Sequence, residues 1–450
     1  MPKTNKQLLA HLLTEYGMIL VLVLLGVFFS AVTMTEQRPS GEAAGQQVSE
    51  LITKQTSPTA TILIASRKLT LDKEFASALT DSLKSADYQN LLLVEGSPRD
   101  ARKKLEELQS QNRKLDVIAG NQTTIEWLVF EDIAKDFPEL GTPVLIGPTA
   151  YHWPNFLKQD NLLNITNQIA VIAIIAIGMT VVIVSGGIDL SVGSLIAFSA
   201  VLVCLFIQKA AGALNATIVG MILSSLAAIV ITGMVGTFTG GMITAFSIPP
   251  FIVTLGVMMM ASGTAYLISG GESVYQVPDS FVWLGRDASI LGIPNAVLLM
   301  ILLYVVAHIM MSRTRLGRYI YAVGGNPEAA RLSGVPVKRI QLFAYTLSGL
   351  LAGLGGVVMA SQLKSGAPTY GQMYELYVIA AVVVGGTSLS GGEGKIFGTL
   401  IGAFIIAVIQ NGMNLMNIES YTQKVILGMV ILLAVLLDKI KQRGFGSGHS

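Results

Sequence analysis

An α-helical polytopic membrane protein of about ten transmembrane helices, carrying one inserted extracytoplasmic α/β domain, is the architecture these residues predict. Three observations carry it. Hydrophobic residues are 52% of the 450 and charged residues 13%, with a mean hydropathy of +0.61, whereas a soluble domain has roughly 25% charge. The charge is also uneven, since 18 of the 28 acidic residues lie between Glu36 and Asp160. Within that interval the pattern changes from long apolar runs to short apolar strands alternating with amphipathic helices.

Lys3 and Lys6 precede an apolar run over residues 16–32 with no clean small-residue cleavage site after it. It reads as an anchor helix, residues 1–34, and not as a removable signal. Residues 35–57, rich in Gly, Gln, Ser and Thr, read as a flexible tether. The α/β domain takes residues 58–150. It alternates apolar strands at 60–65, 90–94, 115–119 and 143–147 with helices at 71–86, 99–111 and 124–137. Continuous apolar strands separated by helices predict a parallel sheet covered on both faces, a flavodoxin-like half-lobe. Ligands meet such sheets beyond the carboxyl ends of the strands, which makes Arg67, Glu95, Asn121 and Thr123 the candidate ligand-loop residues.

Residues 151–441 form the membrane domain, followed by a tail at 442–450. Apolar runs near 165–184, 193–209, 216–238, 250–269, 294–311, 339–360, 373–389, 396–416 and 421–437 approach the roughly 17–25 residues a span requires. The loop after Met311 holds Arg313, Arg315, Arg318, Arg331, Lys338 and Arg339 against Glu328, and the tail adds Lys439, Lys441 and Arg443. The positive-inside rule then makes both termini cytoplasmic and the insert extracytoplasmic. Parity agrees with ten spans.

Between two apolar runs stands Gly186-Gly187-Ile188-Asp189-Leu190-Ser191-Val192-Gly193-Ser194, an acid among glycines where a membrane helix favours neither. Asp189 is suited to capping a helix that begins at Leu190, and a contact with substrate or a role in a gate is the other reading. A weak internal echo follows at Gly385-Gly386-Thr387-Ser388-Leu389-Ser390, as duplicated transporter halves would give. Asn326 as N-cap, Pro327 as first helical residue and Gly334 as terminator define a short helix carrying Glu328, Ala329, Ala330, Arg331, Leu332 and Ser333. Glu375, Gln410, Asn411 and Asn414 are further polar groups in or near apolar runs. They face a pathway or join helices to one another.

These three segments resemble the permease subunits of ribose-type bacterial ABC sugar importers. The resemblance runs from about Asn161 to about Lys441 and leaves residues 35–150 outside it, while the insert is similar to one lobe of the periplasmic sugar-binding proteins that serve such importers. It implies an inner-membrane permease for a monosaccharide or related small polyol, with residues 326–334 as the coupling helix seated on an ATPase subunit. It also implies two ATPase subunits that bind ATP and magnesium, a periplasmic sugar-binding protein, and a second permease copy or similar subunit, all surrounded by membrane lipid.

The chain itself should need no cofactor. Gly394-Lys395 lacks the glycine and the Ser or Thr of a P-loop, and the histidines at 11, 152, 308 and 449 are scattered. Neither a catalytic constellation nor a metal site is expected. Cys204 is the only cysteine, which excludes an intrachain disulfide. A net charge of +2 without a basic face argues against nucleic acid. A membrane sensor or scaffold using the insert to detect ligand, and a secondary transporter, are the rival readings.

Overall fold

The computed structural model describes residues 5–446, with side chains for residues 17–433, 435 and 436. Lys3, His449 and the end of the 442–450 tail lie outside the described residues, as do the side chains of Lys6, His11, Lys439, Lys441 and Arg443. The chain divides into two compact units, Met34–Pro154 and a second made of Met1–Thr33 with Asn155–Ser450.

Helix α1 (Asn5–Val32) leads into the first of these units. Its ends are paired, β1 (Met34–Gln37) running antiparallel to β6 (Tyr151–Pro154). Between them come α2 (Gly41–Gln55), β2 (Ile62–Ser66), α3 (Thr70–Ser85), β3 (Leu91–Glu95), α4 (Pro98–Ser110), β4 (Val117–Gly120), α5 (Ile133–Asp136) and β5 (Val144–Ile146). The four inner strands form a parallel sheet in the order β3-β2-β4-β5. Because alternate strand residues face opposite ways, Ile62 and Ile64 meet Phe75, Leu79 and Leu83 of α3 on one face. On the other face Leu63 and Ala65 meet Ala101, Leu105 and Leu108 of α4. The unit is thus a four-stranded parallel sheet with α3 packed on one face and α4 on the other.

Two expectations are corrected here. The supposed tether is largely the helix α2, whose Ala44, Val48 and Ile52 are fully buried against α3 and the sheet. Spacing of four residues puts all three on one helix face, and burying them holds a segment whose composition alone suggests a linker. The helix expected over 124–137 is instead broken into a 3-10 turn at Leu128–Phe130 and the single turn α5. Asn121 accepts from the amides of Thr123 and Thr124, and Thr124 donates to Ala65 O at 2.8 Å, so the chain is tied to the sheet before a helix can start.

The helical body continues with α6 (Gln159–Val184), α7 (Val192–Ala210), α8 (Ile218–Phe246), α9 (Pro250–Ser269) and α10 (Asn295–Arg313). After α11 (Arg315–Gly325) and α12 (Pro327–Leu332) come α13 (Val337–Leu363), α14 (Tyr374–Val384), α15 (Ile396–Leu415) and α16 (Ser420–Gly446). Among the described residues seven helices are long and apolar enough to cross a membrane: α6, α7, α8, α9, α10, α13 and α15. Shorter apolar segments occur at Gly17–Val32, Tyr374–Val384 and Ser420–Leu433. Helix α6 is the axis of the body, with every residue from Ile169 to Val184 buried. Helices α8 and α13 approach until a Cβ placed on Gly236 would stand 3.1 Å from the Gly349 Cα, and one on Gly349 would stand 3.0 Å from the Gly236 Cα. Small residues let backbones meet in this way where lipid removes the hydrophobic drive between helices.

The run read as a span over 373–389 is interrupted. Helix α14 has only 11 residues, about 16 Å at 1.5 Å per residue, roughly half of the hydrocarbon thickness. Pro368, Gly366 and Gly371 keep the preceding segment non-helical, and Ser365–Pro368 with Gly371 is buried all the same.

Candidate functional site

The Gly186–Ser194 segment begins where α6 stops. Ser185 N donates to Val181 O, Gly186 N to Ile183 O and Gly187 N to Val182 O, with Gly186 at φ +86°. The same three bonds recur 200 residues on, from Gly385 N to Ala381 O, Gly386 N to Val383 O and Thr387 N to Val382 O, with Gly386 at φ +83°. Both are helix ends closed by a left-handed glycine. Beyond each, a side chain accepts from the amide two residues on: Asp189 from Ser191 at 2.9 Å and Ser388 from Ser390 at 3.2 Å. The two turns correspond 200 residues apart, one position out of register with the sequence echo, which aligns Gly186 with Gly385.

Asp189 is 1% exposed. One carboxylate oxygen accepts from Ser191 N at 2.9 Å and Ser191 Oγ at 2.6 Å, and the other from Ser348 Oγ at 2.8 Å. Helix α7 starts at Val192 with Ser191 as its N-cap, so Asp189 does not cap a helix from Leu190. It braces the turn that leads into α7 and ties that turn to the middle of the 27-residue α13. A buried carboxylate held by three donors is satisfied as burial demands.

The proposed coupling segment is formed as its residues specify. Asn326 Oδ1 accepts from Ala329 N at 3.0 Å, Pro327 opens α12, and Gly334 has φ +80°. Ala330 is buried, whereas Glu328, Ala329, Arg331, Ser333 and Gly334 are exposed and Leu332 is 85% exposed. Glu328 and Arg331 pair at 2.7 Å on that surface.

All three segments converge at one place. Gly392 N donates to Val184 O at 2.9 Å, and a Cβ on Gly324 would fall on that same carbonyl. A Cβ on Gly391 would stand 3.1 Å from the Gly186 Cα. Tyr321 Oη donates to Gly394 O at 2.7 Å. Backbone contact of this closeness joins the base of α11, which carries α12, to both repeated turns.

Of the remaining polar groups, Asn411 exchanges amide hydrogen bonds with Asn161 at 2.8 and 3.1 Å, and Asn414 accepts from Gln423 at 2.8 Å. These join helices. Gln410 lines a cavity of about 220 Å³ with Gln168 and Gln362. Gly193, Ser194 and Glu375 line a larger one of about 440 Å³, between the start of α7, the middle of α9 and the start of α14. No sequence feature linked Ser262 of α9 or Tyr370 to this place; the Pro and two Gly of 366–371 were the available signal for the broken span. Cys204 is buried and unpaired. No group of three or more metal-ligating His, Cys, Asp or Glu occurs among the described residues.

In the α/β unit, Arg67 is engaged by Asp72, Nε to Oδ2 at 2.5 Å, and this hydrogen bond raises the Arg67 pKa. The Asn121 carboxamide closes its own turn. Glu95 and Thr123 are exposed.

A body of long apolar helices, broken at one span and closed by paired glycine turns, is that of a multi-span transport protein. The family model described as "Branched-chain amino acid transport system / permease component" matches residues 161–435, and the chain belongs to this family of permease components. The match excludes the whole α/β unit. The chain is 44% identical over 307 residues to the ribose import permease protein of Escherichia coli (strain K12), covering 66% of this chain and 92% of that protein. With the ribose import permease protein of Bacillus subtilis (strain 168) it shares 40% over 323 residues, 71% of this chain and 98% of the other. It is 36% identical over 285 residues to the D-allose transport system permease protein of Escherichia coli (strain K12), 63% of this chain and 85% of that one. No solved structure matches the chain significantly.

Proposed function

We propose that the chain is the membrane subunit of an ABC importer that carries a ribose-like monosaccharide, or a related small polyol, across the inner membrane. The 44% identity to a ribose import permease over 92% of that protein carries this reading. The family description refers to branched-chain amino acids, but the relatives just described are named for ribose and D-allose.

Three apolar segments added to the seven long helices give ten crossings, and the basic loop around α12 gives cytoplasmic termini. Residues 326–334 then meet an ATPase subunit, with the exposed Leu332, Glu328 and Arg331 as the docking surface. ATP and magnesium are bound by two such partners, and the convergence at Gly186, Gly324 and Gly391 carries their closure into α7 and α15. A second permease copy completes the pathway. The α/β unit is extracytoplasmic and resembles a half-lobe of a sugar-binding protein. A separate periplasmic binding protein delivers the substrate, and of the four ligand-loop candidates of this unit Glu95 and Thr123 are the exposed ones.

Uptake of labelled ribose, allose and leucine by host cells with and without the chain tests the reading. Chain-dependent sugar uptake that stops on ATP depletion is expected. Leucine uptake without sugar uptake, or sugar uptake abolished by an uncoupler at undiminished ATP, would overturn it. Loss of a co-purifying ATPase on Glu328→Ala with Arg331→Ala tests the docking surface.

A further inference from the structure

The cavity of about 440 Å³ falls in the range of roughly 300–1,000 Å³ typical of small-molecule sites. Its depth follows from Asp189: the bond to Ser348 sets the turn into α7 beside the middle of α13, and Gly193 and Ser194 stand in the first turn of α7. Irregular backbone at membrane depth is tolerated where it is buried in protein or lines a water-filled cavity. The segment 365–373 does both, with Ser365–Pro368 and Gly371 buried and Gln372 and Met373 exposed on the cavity wall.

Glu375 stands at this wall. A Cβ on Gly193 would collide with its carboxylate and with the Gly371 carbonyl, so the glycine is what leaves the carboxylate room beside α7. Among the described residues the Glu375 carboxylate forms no ion pair and no hydrogen bond with another side chain. Around it Ser194 and Ser262 bring hydroxyls and Gln372 an amide, Tyr370 lines the wall with its own hydroxyl tied to Ser365, and Met258 and Met259 add apolar surface. No Lys, Arg or His lines the cavity.

We propose that this cavity is a mid-membrane station for a neutral polyhydroxylated solute, with Glu375 accepting hydrogen bonds from two neighbouring hydroxyls. The assignment rests on the import reading above and identifies where in the body the solute is held. Hydroxyls both donate and accept, which suits a wall mixing a carboxylate, hydroxyls and an amide, and the methionines receive the C–H face of a small ring. An amino acid would bring a carboxylate with no basic side chain to meet it. A metal cation would find a single acid among the lining residues.

The test uses the full chain in proteoliposomes with Ser262→Cys, the native Cys204 being buried. Alkylation of the new thiol is timed with ribose, ribitol, leucine or sodium chloride. Saturating ribose or ribitol should slow labelling by about tenfold, leucine and salt should leave it unchanged, Glu375→Ala should remove the protection, and Glu375→Gln should keep part of it. Protection by leucine or sodium, none by either polyol, or full protection retained in Glu375→Ala would overturn the assignment. Chain-dependent ribose uptake in cells separates the two readings. Uptake unchanged by Glu375→Ala removes the station and leaves the importer standing, whereas no sugar uptake by the unaltered chain removes the importer and the station with it.

Discussion

On β2 of the α/β unit, Ile62 and Ile64 are buried by Phe75, Leu79 and Leu83, while in the helical body α8 meets α13 through Gly236 and Gly349. The first contact is made of side chains removed from water, worth about 1.5–3 kcal/mol for each large apolar group. The second is made of backbones, because helices already surrounded by lipid gain little by hiding apolar side chains from it. Gly45 makes a similarly close approach between α2 and α3, but there Ala44, Val48 and Ile52 flank it with ordinary apolar burial. The polar groups differ in the same sense. Asp189 is buried and held on three sides, whereas Asp100, which accepts from Ser97 N and Oγ at the start of α4, lies at the surface. A defect of the same size should therefore be felt as misfit in the body and as lost burial in the α/β unit.

The strongest way to break this contrast is Gly236→Leu. It forces a branched side chain into the Tyr345 carbonyl and Gly349, and overpacking beyond about 3 kcal/mol is expected. The body should lose its monodisperse elution in detergent while the α/β unit keeps its protease resistance; a normally eluting variant would show that the helices can part without cost. Leu79→Ala is the converse, with about 2–5 kcal/mol lost. Thermal unfolding followed by limited proteolysis should show the α/β transition shifted down and the body's unchanged, and a common shift would mean that the two units unfold together.

Ser348→Ala probes the polar side of the body. It removes one of three donors to a buried carboxylate, at about 1–3 kcal/mol, and should lower the body's transition, whereas Ser348→Thr, which keeps the hydroxyl, should restore part of it. The smallest effect is expected at Asp100, whose carboxyl is held below the usual range by the Ser97 amide and then by the Ser97 hydroxyl. A depressed folded pKa contributes stability that is fully present above the ordinary value of about 3.9 and is lost as pH falls through the depressed one. Acid titration of the α/β transition should therefore be shallower in Asp100→Asn, and an identical slope would remove Asp100 from the account.

Much of the architecture was legible where the signal is local. The continuous apolar run at 60–65 and the 71–86 face announced the sheet and α3, and Asn326, Pro327 and Gly334 announced α12 residue by residue. Helix α2 was missed because Gly, Gln, Ser and Thr dominate its composition, although Ala44, Val48 and Ile52 carried the four-residue spacing. The half-length of α14 was missed because Tyr374–Val384 continues an apolar run, and only Pro368 with its neighbouring glycines marked the break. Glu375 was seen as a polar group near a span, but its neighbours Ser194 and Ser262 lie far away in the chain.

By itself the sequence determined the seven long apolar helices and the Asn326 start and Gly334 end of α12, since each depends on hydrogen bonds and periodicity within a few residues. The tertiary structure alone decided that Gly186, Gly324 and Gly391 meet, that Asp189 finds Ser348 on a helix 159 residues away, and that α7, α9 and α14 leave a cavity at Glu375. The physical reason is that such contacts depend on which backbones can approach one another, a property of whole packed helices that no short stretch of residues carries.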